Sequence, residues 1–208
     1  MQQLFLVMVA GPNGSGKTTL IEEMRRQGID LGEHINPDDI AQGLQGSYAA
    51  RVAEAQRIAD ARREECIAAR RSFSFETVMS HPSKIEVLNQ AGEAGFFVQL
   101  MFIGTDDPRT NIERVALRVA QGGHPVPEDR IVNRWKRSMG FLAAAIRASD
   151  RAFIFDNSAA GIIDIGPRLI LHGEWWFDAR DPPTLHLERL GPVPQWVRDY
   201  VLRPFSSD

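Results

Sequence analysis

The sequence predicts an α/β fold, a three-layer αβα sandwich around a mainly parallel sheet. Three observations carry that expectation. Short runs without a polar face recur along the chain, longer stretches of helical periodicity separate them, and a glycine-rich turn lies directly between the first run and the first helical stretch. Strands apolar on both faces are covered by helices on both sides. Alternating β and α elements joined by right-handed crossovers pair in parallel. Sheets of that kind bind ligands at the carboxyl ends of their strands, so functional residues are expected just after each strand.

In order along the chain, strands are expected at residues 4–10, 72–75, 96–103 and 152–155, each read as a buried run. Helices are expected at 17–27, about 47–70, 83–94, 107–121 and 128–149. A short strand around His34 and Ile35 leads into a further helix start at Asn36-Pro37. The second long helix carries a small-residue stripe, Val52, Ala55, Ala59, Cys66 and Ala69, at helical spacing, and the stripe is expected to pack in the core. Beyond residue 160 the pieces shorten. Residues 162–165, 169–171 and 185–187 are apolar and separated by glycines and prolines, which predicts a small hairpin and a closing helix at 194–202 added to the main sheet. Trp175, Trp176 and Trp196 lie in this region and are read as packing residues. The whole describes one domain, 1–208, with a helical lid at about 109–137 and a small C-terminal β/α extension at about 160–208.

Composition narrows the function. With 43% hydrophobic and 25% charged residues the 208-residue chain is an ordinary globular domain. Its net charge of −3 provides no general cationic field for nonspecific nucleic acid binding. Cys66 is the single cysteine, which excludes an intrachain disulfide and a multi-cysteine zinc site and fits a reducing, cytoplasmic setting. The opening apolar run is too short to span a bilayer and lacks the features of a secretory signal, so no membrane role is expected.

After the first strand comes Gly11-Pro12-Asn13-Gly14-Ser15-Gly16-Lys17-Thr18-Thr19, a full match to G-x-x-x-x-G-K-[ST] placed between strand and helix. Glycines let successive backbone N–H groups converge on a polyanion, and the helix that follows presents its positive end to the same point. The match predicts a P-loop NTPase fold that binds a nucleoside triphosphate with Mg²⁺, with Lys17 reaching the β- and γ-phosphates and Thr18 holding Mg²⁺. A P-loop alone does not name the reaction. Neither Phe155-Asp156-Asn157 nor Phe75-Glu76-Thr77 ends in the Asp-Glu pair that motor and transporter ATPases use.

Other residues point towards phosphoryl transfer. Asp38 and Asp39 follow Asn36-Pro37 at a strand's carboxyl end. They either cap the helix or, in the case of Asp38, accept the proton of an acceptor hydroxyl. Glu76 and Thr77 end another strand on the ligand side, where Glu76 either orients acceptor hydroxyls, fixes Mg²⁺ through water, or caps the following loop. Between Arg109 and Arg137, seven basic side chains face three acidic ones, a local +4 in a chain whose remainder carries −7. Arg114 and Arg118 share a helix face, as do Arg130 and Arg134, and Gln121-Gly122-Gly123-His124-Pro125-Val126-Pro127 joins the two helices. The segment reads as a closing lid that sets guanidinium groups on a transferring phosphoryl, as a solvated helical hairpin, or, least favoured, as a nucleic acid patch.

Taken together, the loop from Gly11 to Thr19, Asn36-Pro37-Asp38, Phe75-Glu76-Thr77, and Arg114-x-x-x-Arg118 followed by Gly122-Gly123-His124 and Arg134 resemble the zeta toxin family of P-loop kinases, and most closely its small stand-alone branch of predicted ATPases or kinases. The resemblance spans about residues 4–158, including Asp156-Asn157-Ser158. It implies that Lys17 and Thr18 bind ATP and Mg²⁺, that Asp38 is the catalytic base, that Glu76 and Thr77 sit at the acceptor pocket, and that Arg118 and Arg134 hold the phosphates. It further implies a small-molecule acceptor, a UDP-amino-sugar in characterised members, and a protein antitoxin as partner. The chain departs from those members in its Gly-Gly-His turn and in having no long substrate-binding insertion, which leaves the acceptor open. A slow or non-catalytic ATP-binding module and a polynucleotide 5′-kinase are the alternatives.

Overall fold

The first strand, β1 (Phe5–Ala10), places Leu6, Met8 and Ala10 against one layer and Val7 and Val9 against the other, and all five are buried. This two-sided burial is the physical signature of a central strand in a layered α/β fold. The computed structural model describes residues 3–158, 168–176 and 184–206. Four further strands run parallel to β1 or to its neighbours: β2 (Glu33–Ile35), β3 (Phe73–Thr77), β4 (Phe97–Gly104) and β5 (Arg151–Asp156). β6 (Arg168–Trp176) and β7 (Thr184–Arg189) then extend the sheet antiparallel, completing the seven-stranded order β2-β3-β1-β4-β5-β6-β7. The expected hairpin is thus part of the main sheet.

Register decides where chemistry can occur. Ala10 stands beside Thr77 on one side and Phe102 on the other, and Gly104 stands beside Asp156. The residues after β1, β3, β4 and β5 therefore emerge along one edge of the sheet, as the carboxyl-end rule requires.

Helices cover both faces. α1 (Lys17–Arg26) packs Leu20, Ile21 and Met24 against Val7, Val9 and Ile103. The other face carries the larger core, to which α3 (Tyr48–Ala68), α4 (Ser83–Glu93) and α6 (Glu128–Arg147) contribute Ala59, Leu88 and Leu142 among others. α2 (Pro37–Gln42) precedes α3, and α5 (Pro108–Ala120) runs antiparallel to α6 across the Gly-Gly-His turn. α7 (Gln195–Val197), a π-helical turn (Arg198–Leu202) and α8 (Arg203–Phe205) form the closing helical segment. It is a structural part of the core, because Trp196 is 3% exposed, packs on Phe102 and donates from Nε1 to the Asp156 carboxylate at 2.9 Å.

Two details differ from the sequence reading. In the α3 stripe Ala55, Ala59 and Cys66 are buried, but Val52 and Ala69 are exposed. Val52 lies on a cleft wall and Ala69 is the residue that ends the helix, so neither reaches the sheet. Arg63 is buried instead, at 2% exposure, with its guanidinium over the Phe75 ring. Residues 162–165 and the side chains of Trp175 and Trp176 lie outside the described residues, whereas Trp196 packs as expected. No helix among the described residues is long and apolar enough to cross a membrane.

Candidate active site

The loop between β1 and α1 curls because three of its glycines adopt positive φ: Gly11 at 150°, Gly14 at 73° and Gly16 at 102°. At Gly11 space matters as much as φ, since a Cβ there would stand 2.2 Å from the Ile103 carbonyl oxygen. Gly14 is similarly pressed, with a Cβ position 2.8 Å from the Asn111 carbonyl oxygen. The backbone is thus held in a tightly curled path that a side chain at these positions would disrupt.

Distant residues hold that path in place. The Asn111 carboxamide on α5 donates to the Asn13 carbonyl at 2.7 Å, and that of Asn157, just past β5, donates to the Ser15 carbonyl at 2.8 Å. Asn111 in turn accepts from the Thr105 hydroxyl, and Trp135 Nε1 donates to the Thr105 carbonyl at 3.1 Å. Arg114 donates to the Asn157 carbonyl at 2.8 Å, beneath the loop. The sequence reading missed Asn111 and the tie made by Asn157. Their only signal is position, each lying a few residues past a strand's carboxyl end.

Above the loop opens a cleft of about 700 Å³. Lys17, Thr18, Asp38, Glu76, Thr77, Arg118 and Arg134 all line it, as do Asn13 and Gly14. The sequence-predicted residues from four separate segments therefore converge. Gly11, Pro12, Ser15, Gly16 and Thr19 shape or follow the loop without lining the cleft. Arg130 is exposed and outside it. Arg114 and Arg118, neighbours on one helix face, divide their work: Arg114 braces Asn157, and Arg118 faces the cleft.

Lys17 Nζ donates to the Gly11 and Pro12 carbonyls at 2.9 and 3.0 Å. Desolvation pushes its ammonium down to about 8, offset partly by the Glu76 and Asp38 carboxylates and reinforced by Arg118 and Arg134. Burial raises the Glu76 carboxyl above the usual range, the Lys17 ammonium opposes that shift, and Asp38 and Asp39 add to it. Asp38 itself sits in the first turn of α2, where the cap is supplied by Asn36, whose Oδ1 accepts from the Asp38 amide at 2.9 Å. That leaves the Asp38 carboxylate on the cleft wall, away from the capping role. Across the cleft, Arg134 donates to Asn13 Oδ1 at 3.2 Å, and Arg118 donates to the His124 carbonyl at 3.3 Å. His124 packs its ring on Tyr48 at 4.8 Å, so the turn of the hairpin touches the start of α3.

The donor set suits a hard divalent ion that arrives with phosphates. The Thr18 hydroxyl lies 3.5 Å from the Glu76 carboxylate. Among the described residues no cluster of three or more His, Cys, Asp or Glu side chains offers a complete protein cage. Proteins generally bind Mg²⁺ through one or two of their own oxygens plus substrate phosphates and water.

A phosphate loop at the carboxyl edge of a mainly parallel sheet, with basic residues of a helical hairpin facing it, defines an α/β nucleotide-binding domain with the P-loop fold. Residues 6–142 match the AAA domain family, and the chain belongs to it. An uncharacterized protein of Haemophilus influenzae is 31% identical over 131 residues, 62% of this chain and 91% of that protein. Among solved structures, the AvrRxo1-ORF1:AvrRxo1-ORF2 complex with sulphate ions superposes with a TM-score of 0.63 at 17% identity, covering 82% of this chain and 58% of the other. The same complex solved with ATP gives 0.60 at 16% identity, with the same coverage. The PezAT chromosomal toxin–antitoxin system of Streptococcus pneumoniae gives 0.53 at 16% identity, covering 76% of this chain and 70% of the other. The chain thus spans little more than half the length of the AvrRxo1 chain it matches. These likenesses establish the fold that the chain shares with both complexes.

Proposed function

We propose that the protein is an ATP- and Mg²⁺-dependent kinase that transfers the γ-phosphate to a hydroxyl of a small molecule. One observation carries the reading: Lys17, Asp38, Glu76, Arg118 and Arg134 face one cleft, which the phosphate loop also lines. Phosphoryl transfer needs little covalent chemistry from a protein. It needs alignment of acceptor and phosphate, and positive charge on the transferring group.

Loop amides and Lys17 bind the β- and γ-phosphates, Lys17 leaving the Gly11 and Pro12 carbonyls to do so. Arg118 and Arg134 approach from the hairpin and stabilise the charge on the equatorial oxygens. Asp38 accepts the proton of the acceptor hydroxyl as its oxygen bonds to phosphorus and the bond to the β-phosphate oxygen breaks, releasing ADP. Glu76 and Thr77 orient the acceptor. Thr18, with Glu76 beside it, is the residue that would hold Mg²⁺, which when bound would supply neutralising charge to the phosphates. The hairpin turn at Gly122 and Gly123 allows the guanidinium groups to close over the substrate. On the likeness to PezAT the proposal extends to a small protein antitoxin as partner, and its binding is expected to suppress turnover.

Labelled ATP incubated with a panel of hydroxyl metabolites, UDP-sugars and oligonucleotide 5′ ends included, tests the reading. Acceptor-dependent ADP release is expected with one class of acceptor. Asp38→Asn is expected to keep ATP binding and lose transfer by about 10²–10⁴-fold. Full transfer by Asp38→Asn refutes the base assignment, and ATP binding without acceptor-dependent release from any member of the panel returns the protein to a binding module.

A further inference from the structure

The Gly122-Gly123-His124 turn between α5 and α6 folds back on the arginine that precedes it. The Gly123 amide donates to the Arg118 carbonyl at 2.9 Å. A Cβ at Gly123 would stand 2.7 Å from Arg118 Cγ and 2.9 Å from the Arg118 carbonyl oxygen, whereas one at Gly122 would meet nothing within 4 Å. The two glycines therefore answer different needs: Gly122 supplies a φ of 93°, and Gly123 leaves room for the Arg118 stem. His124 follows, and Pro125 after it disfavours helical backbone at His124. The His124 carbonyl accepts from Arg118 Nη2 at 3.3 Å.

Arg118 is exposed and makes no ion pair among the described residues. A free arginine surrenders much rotamer freedom when it engages a phosphate. Held along its stem by Gly123 and at its tip by His124, Arg118 has surrendered part of it in advance. The tether is also neutral. A carbonyl occupies one of the guanidinium N–H groups and leaves the positive charge uncompensated, where a carboxylate would cancel it. Arg134 is held in the same manner, by Asn13 Oδ1 at 3.2 Å, while Arg109, outside the cleft, is ion-paired to Asp107. The turn is anchored in its own right: the His124 ring packs on that of Tyr48, the first residue of α3, with centroids 4.8 Å apart. Tyr48, Arg118, Gly123 and His124 all line the cleft, so this contact joins two of the elements that enclose it.

Resting on the kinase reading for the role of Arg118, we propose that Gly123 and His124 are positioning residues that preset the Arg118 guanidinium for the transferring phosphoryl, and that Tyr48 anchors them through the His124 ring. Preorganised charge stabilises the transition state without reorganising at the moment of reaction. Disturbing the turn therefore weakens binding of the transferring phosphoryl, while ground-state nucleotide binding, carried by the loop and Lys17, changes little. The wall formed by α3 thereby contributes to the geometry of an arginine that belongs to α5.

The test compares two ligands on the full chain. Mg²⁺ with a non-hydrolysable ATP analogue reads the ground state, and Mg²⁺, ADP and aluminium fluoride read the transferring phosphoryl without an identified acceptor. Gly123→Ala is expected to weaken the aluminium fluoride complex by about tenfold or more, and Tyr48→Ala and His124→Ala by about threefold to tenfold, with the analogue held within about threefold. Tyr48→Phe keeps the ring and is expected to match the unsubstituted protein. In an Arg118→Gln background, Gly123→Ala and Tyr48→Ala are expected to change aluminium fluoride binding by no more than about twofold, because they act through the missing side chain. Tyr48→Ala, at the surface, keeps the test decisive if Gly123→Ala fails to fold. Equal losses for both ligands overturn the positioning role, as do losses that persist undiminished in the Arg118→Gln background. Undiminished aluminium fluoride binding in Gly123→Ala and Tyr48→Ala, or no such complex in the unsubstituted protein, overturns it too. The expected coupling to Arg118 in a protein that phosphorylates no member of the acceptor panel keeps the positioning role and removes the kinase reading. Transfer at an unchanged rate in Gly123→Ala and Tyr48→Ala does the reverse.

Discussion

The Asn111 carboxamide on α5 donates to the Asn13 carbonyl of the phosphate loop at 2.7 Å, so the helix that carries Arg118 is tied at its base to the loop that carries Lys17. Asn111 is fully buried and also takes the Thr105 hydroxyl. Removing it leaves the Asn13 carbonyl without its donor and the Thr105 hydroxyl without an acceptor. Asn111→Ala is expected to cost about 1–3 kcal/mol of stability in denaturant unfolding, and ATP affinity in calorimetry is expected to weaken by roughly tenfold, which corresponds to about 1.4 kcal/mol. Unchanged ATP affinity alongside reduced stability would confine the tie to a structural role.

Lys17 gives ATP binding a pH signature. In the ligand-free protein its ammonium loses its proton at about 8, against 10.5 for an ordinary lysine. The unfolded chain therefore binds more protons than the folded one between those values, and this residue's contribution to stability rises with pH across that window. Phosphates draw the proton back. Calorimetry at pH 8.5 in buffers of different ionisation enthalpy is expected to show proton uptake on ATP binding. The uptake is expected to fade at pH 6.5 and to be absent in Lys17→Met. Buffer-independent heats at pH 8.5 count against the placement of Lys17 on the phosphates.

Thr18 and Glu76 concern the metal. Chelation with EDTA is expected to abolish transfer. Thr18→Val is expected to raise the Mg²⁺ concentration at half-activity by about 10–100-fold, the range seen when groups that support a metal are removed. Thr19→Val, whose hydroxyl does not line the cleft, is expected to leave it within about threefold. Equal effects of the two substitutions would remove Thr18 from the metal site.

Gly11 and Gly122 separate crowding from conformational strain. Both have positive φ, but a Cβ at Gly11 would meet the Ile103 carbonyl at 2.2 Å, whereas nothing lies within 4 Å of one at Gly122. Gly122→Ala is expected to cost about 1 kcal/mol, the strain of the left-handed region alone. Gly11→Ala is expected to cost about 3 kcal/mol or more, which for a domain of this size lowers Tm by roughly 6 °C or more. Thermal unfolding of the two variants side by side checks the difference.

The closing helical segment is expected to be indispensable to folding. Trp196, Val197 and Val201 are buried in the main core, and the Trp196 ring fills the space above Gly104. Trp196→Ala is expected to lose about 3–5 kcal/mol in denaturant unfolding, although the residue lies far along the chain from the phosphate loop. A loss below 1 kcal/mol would mark the segment as an appendage.

Much of the site was legible in the chain because its requirements are local. Three glycines with positive φ, a lysine and a threonine must be contiguous to form an anion cup between a strand and a helix, and such a demand is written in adjacent residues. The two-sided burial of β1, the arginines of α5 and α6, and Asp38 at a strand's end are legible for the same reason. Tertiary structure alone decided which distant groups meet there. Sheet order brings Asn111 and Asn157 under the loop, turns Arg114 to a backbone carbonyl while Arg118 faces the cleft, and buries Arg63 where helical periodicity suggested only small apolar residues. These outcomes depend on which strands are neighbours and which helix face meets them, relations between residues up to 142 positions apart that no local spacing encodes.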